Sequence, residues 1–295
     1  MQITAAMVKE LRERTGAGMM ECKKALAASD GDMDAAVESM RKAGTAKADK
    51  RASCVAAEGV IRISAASDWR EAAMVEVNCE TDFVAKGDDF GAFAQTLAQT
   101  AARHKPADVD ALMALPLAGE DGVSLEDQRL RVVAKLGENV QVRRLDLMQA
   151  QDGHVGVYLH GSRIGVLVDV AGGDEALAKD VAMHVAASRP LCVDEHQVPA
   201  DVLANERAIF AAQAQTSGKP AAIIDKMVQG RLKKYLGEVT LVGQPFVKDP
   251  EQTVGELLVA SGAKVRRFVR FEVGEGIEKK AGNFADEVMA QVKGE

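Results

Sequence analysis

The chain has 295 residues, enough for two or three compact units, and 47% of them are hydrophobic, which is ample for a core. Its formal net charge of -7 disfavours a general affinity for nucleic-acid phosphates, so we expect no direct nucleic-acid partner. The four cysteines are scattered without a CxxC pair, which excludes a zinc framework and a disulfide scaffold and indicates a reducing compartment. The chain opens without a basic and then apolar leader and has no run of about 18 apolar residues, so we expect a cytoplasmic protein without a membrane partner.

Residues 4–43 have the pattern of three short helices. Breaks that contain glycine, at residues 15–18 and 29–32, separate the helices, and Thr4 is placed to cap the first of them. In the second helix Cys22, Leu26 and one of two methionines are expected to point inward. The Ala- and Lys-rich residues 44–57 that follow are predicted to be a linker.

A β-rich portion comes next. Residues 59–64 and 73–77 alternate like the strands of a hairpin, and a helix is expected from Asp89. Residues 125–136 predict another helix and residues 140–144 another strand. The stretch 106–122 has no clear pattern.

The same order of elements then occurs a second time. Strands at 155–160 and 165–170 lead to a helix at 174–188. Gly87-Asp88 of the first copy aligns with Gly173-Asp174 of the second. Between the strand and this glycine the first copy has nine residues, 78–86, whereas the second has two, 171 and 172. Short connections are the rule, so the seven extra residues of the first copy indicate a function.

The last third of the chain changes character. Two long helices with a Gly/Pro break at 217–220 predict an antiparallel helical hairpin. Strand-like residues 239–242, a helix at 254–261, a strand at 265–272 and a final amphipathic helix at 284–292 follow.

The extra residues contain Thr81, Asp82, Phe83 and Val84. An aromatic side chain beside a carboxylate, just beyond a strand, suits a contact with another molecule, because exposed aromatics commonly anchor interfaces.

Catalytic motifs are missing from the sequence. It contains no GxxxxGK[ST] phosphate loop, no GxSxG elbow, no GxGxxG after a strand and no HExxH, and each histidine is expected to be structural. One alternative is a thiol enzyme with Cys79 as nucleophile and His160 as base, although a lone cysteine at a strand end is more often buried and inert. Another is a metal site formed by acids, although two of the four are better placed to cap a helix. Those acids are Glu80, Asp82, Asp88 and Asp89.

Several sequence stretches, in order along the whole chain, closely resemble the bacterial translation elongation factor Ts family, the guanine-nucleotide exchange factors of the GTPase elongation factor Tu. The stretches are residues 8–12, 15–20, 22–26, 78–86, 184–187, 243–247 and 270–277. The resemblance implies an α+β fold with an N-terminal three-helix domain like the ubiquitin-associated domain. It also implies a duplicated two-subdomain core with antiparallel sheets, an inserted coiled-coil hairpin and a C-terminal helix.

The corresponding domain boundaries combine this resemblance with the segmentation above. We expect the three-helix domain and linker at 1–55 and the first core subdomain at 56–145. The second core subdomain takes 146–191 and 239–275, with the hairpin inserted at 192–238. The C-terminal helical module takes 276–295.

The resemblance also implies site residues. In the family, the loop that corresponds to residues 81–84 enters the GTPase and dislodges magnesium, with Phe83 as the wedge and Asp82 as its polar companion, flanked by Thr81 and Val84. Further residues resemble family contacts with the partner or, for the leucine, support of the wedge: Arg12, Met19, Met20, Lys23, Leu136 and His160. Core packing is the alternative for at least one methionine, and an ordinary exposed strand position is the alternative for His160.

The functional expectation is therefore a non-enzymatic exchange factor that needs no cofactor or metal of its own. In some members of the family the helical hairpin is implicated in dimer contacts. A different class of function, a three-helix adaptor that binds partners without promoting exchange, stays open at this point.

Overall fold

The computed structural model of the chain describes residues 3–216 and 219–278. These residues form two compact units. The first comprises residues 3–62, 74–145 and 272–278, and the second comprises residues 63–73 and 146–271, with the gap at 217–218. Helices and antiparallel strands are both present in quantity, which confirms the α+β class.

The first unit begins with three helices: α1 (Ala5–Thr15), α2 (Met19–Ala28) and α3 (Met33–Arg51). The Thr4 hydroxyl caps α1 by accepting a hydrogen bond from the Met7 amide (3.3 Å), and Gly16 ends the helix with a left-handed φ of 68°. The three helices share a small core, formed chiefly by Val8, Leu11, Cys22, Leu26 and Ala36.

The third helix is longer than predicted, so the linker expected at 44–57 is wrong for residues 44–51. The reason is tertiary, because α3 packs against α7 (Leu125–Leu136). Gly44 and Ala48 are buried, and Arg41 forms an ion pair with Asp127 at 2.6 Å. Burial of small residues along one face thus extends a helix that the composition alone did not predict.

The sheet of the first copy has the strand order β1-β2-β3, with β1 (Glu58–Ala65), β2 (Glu71–Cys79) and β3 (Gln141–Gln149). A one-turn helix α4 (Asp82–Ala85) follows β2 and precedes α5 (Asp88–His104). The buried face of α5 repeats at helical spacing through Phe90, Phe93, Ala94, Leu97, Ala98 and Ala101. The patternless stretch contains a short helix, α6 (Val109–Met113).

The second unit repeats the hairpin and helix. Strands β4 (His154–His160) and β5 (Ile164–Ala171) pair antiparallel, and β8 (Lys264–Glu272) completes the order β4-β5-β8. Helix α8 (Glu175–Ser188) lies close to β4, since a Cβ added at Gly156 would stand 2.1 Å from the Ala178 carbonyl oxygen. Valines of β5 and valines and alanines of α8 form a large part of the core of this unit.

The predicted helical hairpin consists of α9 (Ala200–Gln215) and α10 (Ala221–Val239). Phe210 meets Tyr235 edge to face at 6.3 Å, and Arg231 donates a hydrogen bond to the Gln213 side chain at 2.8 Å. Both contacts join the two helices in the antiparallel arrangement that was predicted.

The strand predicted at 239–242 is wrong. Helix α10 continues to Val239, and a 3-10 turn, Leu241–Gly243, follows. The Leu241 and Val242 amides donate instead to the carbonyls of Cys192 and Val193 (2.9 and 3.1 Å). The backbone amides of an apolar segment can form their hydrogen bonds with a neighbouring loop instead of a sheet. Apolar alternation over four residues therefore does not establish a strand.

A small two-stranded sheet, β6 (Pro245–Phe246) and β7 (Asp249–Thr253), was not predicted. The predicted helix at 254–261 is present as α11 (Val254–Ala260), and Thr253 and Glu256 form a capping box at its start. The predicted C-terminal helix at 284–292 lies outside the described residues. Within residues 3–216 and 219–278, no helix combines the length and the apolar character needed to cross a membrane.

One histidine has a structural role that explains its complete burial. His184 on α8 accepts a hydrogen bond at Nδ1 from the Val247 amide (3.1 Å), so Nε2 carries the proton and donates to the Gln244 side-chain oxygen (3.0 Å). Burial lowers the pKa of His184, against a smaller opposing effect of the Gln244 hydrogen bond. The folded chain therefore holds this imidazole neutral.

Stability should consequently depend on pH through His184. The folded pKa lies below the unfolded one, so this contribution is complete above about pH 6.5 and is lost as the pH falls below that value. Urea unfolding at pH 7.5 and 5.5 measures the effect. His184→Gln should show a smaller loss of unfolding free energy between the two pH values, whereas His160→Gln, at an exposed position, should lose as much as the unmodified chain. Equal losses in all three proteins would contradict the assignment.

Candidate protein-interaction site

The extra residues of the first copy form a local structure that the second copy lacks. The connection from strand to helix has eight residues in the first copy and three in the second, so the excess is five residues and not the predicted seven. Strand β2 ends at Cys79 and α5 begins at Asp88, and the one-turn helix α4 lies between them. In the second copy only residues 172–174 separate β5 from α8. We call residues 80–87 the 80–87 loop.

Phe83 projects from this loop into solvent. Its side chain is 84% exposed, and few other large apolar residues in the described part of the chain are exposed. Burying an exposed phenylalanine side chain contributes a favourable free energy of roughly 1.5–3 kcal/mol. Folding leaves the Phe83 ring exposed, so the folded chain does not gain this stabilisation. The ring is therefore available to a partner.

The base of the 80–87 loop is held by hydrogen bonds to one carboxylate. Glu138 Oε2 accepts from the amides of Glu80 and Thr81 (3.1 and 3.0 Å), and Oε1 accepts from the Thr81 hydroxyl (2.6 Å). The same hydroxyl accepts from the Val84 amide at 3.4 Å and so caps α4. Thr81 consequently links the loop to the turn after α7.

The turn after α7 is bound in return. The Asn139 amide donates to Glu80 Oε1 (2.6 Å), and the Asn139 side chain donates to the Cys54 carbonyl (2.8 Å). Neither Glu138 nor Asn139 was predicted from the sequence as a functional residue. Their position directly after Gly137, which ends α7 with a φ of 75°, is the signal that could have drawn attention to them.

Asp82 and Val84 flank the ring differently. Asp82 is exposed and forms an ion pair with Lys86 at 2.6 Å, and the hydrogen bond from Lys86 lowers the pKa of its carboxyl. Val84 is half-buried. The loop therefore presents an aromatic ring and an ionised carboxylate side by side.

Cys79 is not suited to nucleophilic catalysis in this environment. Its thiol is buried and donates a hydrogen bond to the Thr81 carbonyl (3.2 Å). Burial raises the pKa of Cys79 to about 12, with smaller contributions from the Glu138 and Glu58 carboxylates. A thiol that stays protonated near neutral pH is a poor nucleophile, which argues against the thiol-enzyme alternative.

Three of the four acids considered for a metal site have other partners. Glu80 accepts from Asn139, Asp82 is paired with Lys86, and Asp89 is paired with Lys135 at 2.7 Å. Asp88 and Asp89 lie in the first turn of α5, but the N-cap is Gly87, so the predicted side-chain cap is wrong. In the described part of the chain no three His, Cys, Asp or Glu side chains form a group that could hold a metal ion.

The three-helix region carries the second group of predicted contacts. Met19 and Met20, at the start of α2, are 60% and 65% exposed, so core packing does not explain either of them. Arg12 on α1 and Lys23 on α2 are exposed as well. Flexible apolar side chains flanked by cations are typical of protein-binding surfaces.

The two remaining predicted residues, Leu136 and His160, are less distinctive in their exposure and contacts. Leu136 is the last residue of α7 and is half-buried beside the turn that holds the 80–87 loop. His160, at the end of β4 in the second unit, is exposed, and its ring stacks on Tyr158 with centroids 6.4 Å apart. The Tyr158 hydroxyl lies 3.4 Å from His160 Nδ1.

Comparisons with known proteins agree with one another. A family model described as Elongation factor TS matches residues 80–275. Elongation factor Ts of Thioalkalivibrio sulfidiphilus is 64% identical over 295 residues, which cover 100% of both chains. Elongation factor Ts of Methylococcus capsulatus is 61% identical over 99% of both chains, and that of Legionella pneumophila strain Paris is 56% identical over 99% of both. The chain therefore belongs to the elongation factor Ts family, a family of translation elongation factors.

Proposed function

We propose that the chain is a guanine-nucleotide exchange factor for elongation factor Tu. It binds the GDP form of that GTPase, displaces magnesium and promotes GDP release, so that GTP can enter. The observation that carries the proposal is an 84% exposed Phe83, presented on a braced one-turn helix that only one copy of the duplicated scaffold contains. Membership of the elongation factor Ts family supports the choice of partner.

The proposed mechanism needs no chemistry within the chain itself. Magnesium and phosphate-binding groups supply much of the grip of a GTPase on its nucleotide. A protein that binds the nucleotide-free GTPase more tightly than the GDP form must weaken GDP binding by the same factor. Insertion of Phe83 beside the nucleotide, with the Asp82 carboxylate next to it, supplies such differential contacts. The chain is accordingly proposed to be a binding protein and not an enzyme.

The other predicted residues are assigned supporting roles. Arg12, Met19, Met20 and Lys23 dock the three-helix domain on the GTPase, and His160 faces another part of the partner. Leu136 supports the turn behind the wedge. The same proposal includes the domain boundaries drawn from the sequence and a cytoplasmic location. It also includes a dimer contact through the α9–α10 hairpin.

The test is a release assay with elongation factor Tu that carries a fluorescent GDP analogue. Substoichiometric amounts of the chain should accelerate release in the presence of excess unlabelled GDP, and each molecule should act repeatedly. Cys79→Ala should keep most of this activity, because the thiol takes no part. No acceleration by the unmodified chain would refute the exchange proposal and favour the adaptor alternative. Loss of activity in a folded Cys79→Ala protein would restore the thiol-enzyme alternative.

A further inference from the structure

We infer that Glu138 is a positioning residue for nucleotide exchange, which acts on the partner only through Phe83. The inference rests on the proposed function and adds to it a residue outside the contact surface. Glu138 lies in the turn after α7, more than 50 positions beyond the loop in sequence, and its carboxylate accepts three hydrogen bonds from the base of the 80–87 loop.

The geometry is that of a carboxylate clamp. One oxygen accepts from two consecutive backbone amides, those of Glu80 and Thr81, while the other accepts from the Thr81 hydroxyl. Hydrogen bonds to an ionised acceptor are stronger than neutral ones and define the position of the donors more closely. The clamp thus fixes the point at which the loop leaves β2.

A second carboxylate reinforces the clamp from the opposite direction. Glu80, within the loop, accepts from the Asn139 amide at 2.6 Å, next to Glu138 in the chain. Arg51, at the end of α3, lies 3.5 Å from the other Glu80 oxygen. Each segment therefore gives a carboxylate to the backbone of the other, and rotation of the loop away from the turn would break bonds on both sides.

The clamp matters because α4 cannot hold its own shape. A helix of four residues is far below the length that is stable alone, so its conformation depends on the Thr81 cap and on what holds Thr81. None of the four residues of α4, Phe83 included, is buried, so packing does not fix the ring direction. Without the clamp, the cost of ordering the loop would be added to each binding event.

The experiment is a double-mutant cycle in the fluorescent-GDP assay. Glu138→Ala should lower the maximal exchange rate roughly tenfold, since charge-assisted hydrogen bonds are lost and the loop must be ordered at binding. Glu138→Gln, which keeps one acceptor oxygen, should lie between Glu138→Ala and the unmodified chain. In the Phe83→Ala background, Glu138→Ala should cause no further loss, because the residue acts through the ring.

Two further measurements separate positioning from a loss of structure. Amide hydrogen exchange should show lost protection at residues 80–84 in Glu138→Ala, with the core of α5 unchanged. Thr81→Ser, which keeps the hydroxyl, should retain more activity than Thr81→Val. Glu38→Gln is the matched control, because this exposed glutamate forms an ion pair with Lys42 on its own helix (2.7 Å), and the variant should promote exchange normally.

The outcomes distinguish the two proposals. If the unmodified chain does not promote exchange, both proposals fail. If it does, and Phe83→Ala is impaired while both Glu138 variants are fully active, only the positioning role is overturned. An equal further loss from Glu138→Ala in the Phe83→Ala background would also overturn it, because the residue would then act by another route.

Discussion

Replacing Phe83 by alanine should reduce the acceleration of GDP release by roughly 30-fold while leaving the fold intact. Truncation of an aromatic residue central to an interface typically costs at least about 2 kcal/mol, which is a factor of about 30 in rate if the contact is made only in the displaced state. The side chain is 84% exposed, so the free energy of unfolding should change by less than about 0.5 kcal/mol. Exchange kinetics with a fluorescent GDP analogue and a urea titration measure the two effects.

Val259 provides a matched control for this substitution. It is a large apolar residue on α11 that is 81% exposed, and no partner contact is proposed for it. Val259→Ala should therefore preserve exchange, and Phe83→Leu should retain part of it because an apolar wedge remains. Full activity of Phe83→Ala would contradict the wedge role. Equal losses in both alanine variants would indicate a general requirement for exposed apolar surface.

Replacing Glu76 by alanine should destabilise the chain by about 3–5 kcal/mol, the usual cost of removing one partner from a buried ion pair. Glu76 is completely buried on β2 and accepts from Arg143 (3.1 Å) and Arg144 (2.5 Å) of β3. It also accepts from the Gly274 amide at 2.9 Å. The substitution leaves two guanidinium groups without this carboxylate and one amide without its acceptor.

The effect of Glu76→Ala should reach the segment after β8. The Arg144 side chain also donates to the Glu272 carbonyl at 2.9 Å, so residues 272–275 are attached to the first sheet through this cluster. Chemical unfolding followed by circular dichroism gives the loss of stability, and Glu76→Gln should lose less, because it keeps the shape and one acceptor. Glu38→Ala, which breaks an exposed pair, should cost far less stability than Glu76→Ala. A loss below 1 kcal/mol for Glu76→Ala would refute the stabilising role assigned to the Glu76 cluster.

The repeated unit shows how far sequence patterns reach. Apolar alternation located both hairpins, and helical spacing located α5 and α8, because these patterns follow directly from which face is buried. Comparing the copies also isolated the residues that became α4. That comparison required only a count of the residues between strand and helix in each copy, because connections of this kind are usually short.

Errors occurred where a segment finds partners far away in sequence. Residues 44–51 are helical because α7 covers them, and residues 241–242 bond to the backbone of residues 192–193 instead of joining a sheet. Local composition contains neither partner. Likewise, Met19 and Met20 are exposed because the small core of the three-helix region packs against another face of α2.

The sequence by itself determined the order of the elements, the extra loop, the identity of its aromatic residue and the family resemblance. Each of these depends on neighbouring residues or on matching strings. Only the tertiary structure revealed the Glu138 clamp, the buried Glu76 cluster and the raised pKa of Cys79. These features arise from charges and hydrogen-bond donors about 60 to 200 positions apart that folding brings within 3 Å, or from burial by distant segments. Local pattern could indicate that Phe83 faces a partner, whereas the carboxylate that holds it in place became visible only in the folded chain.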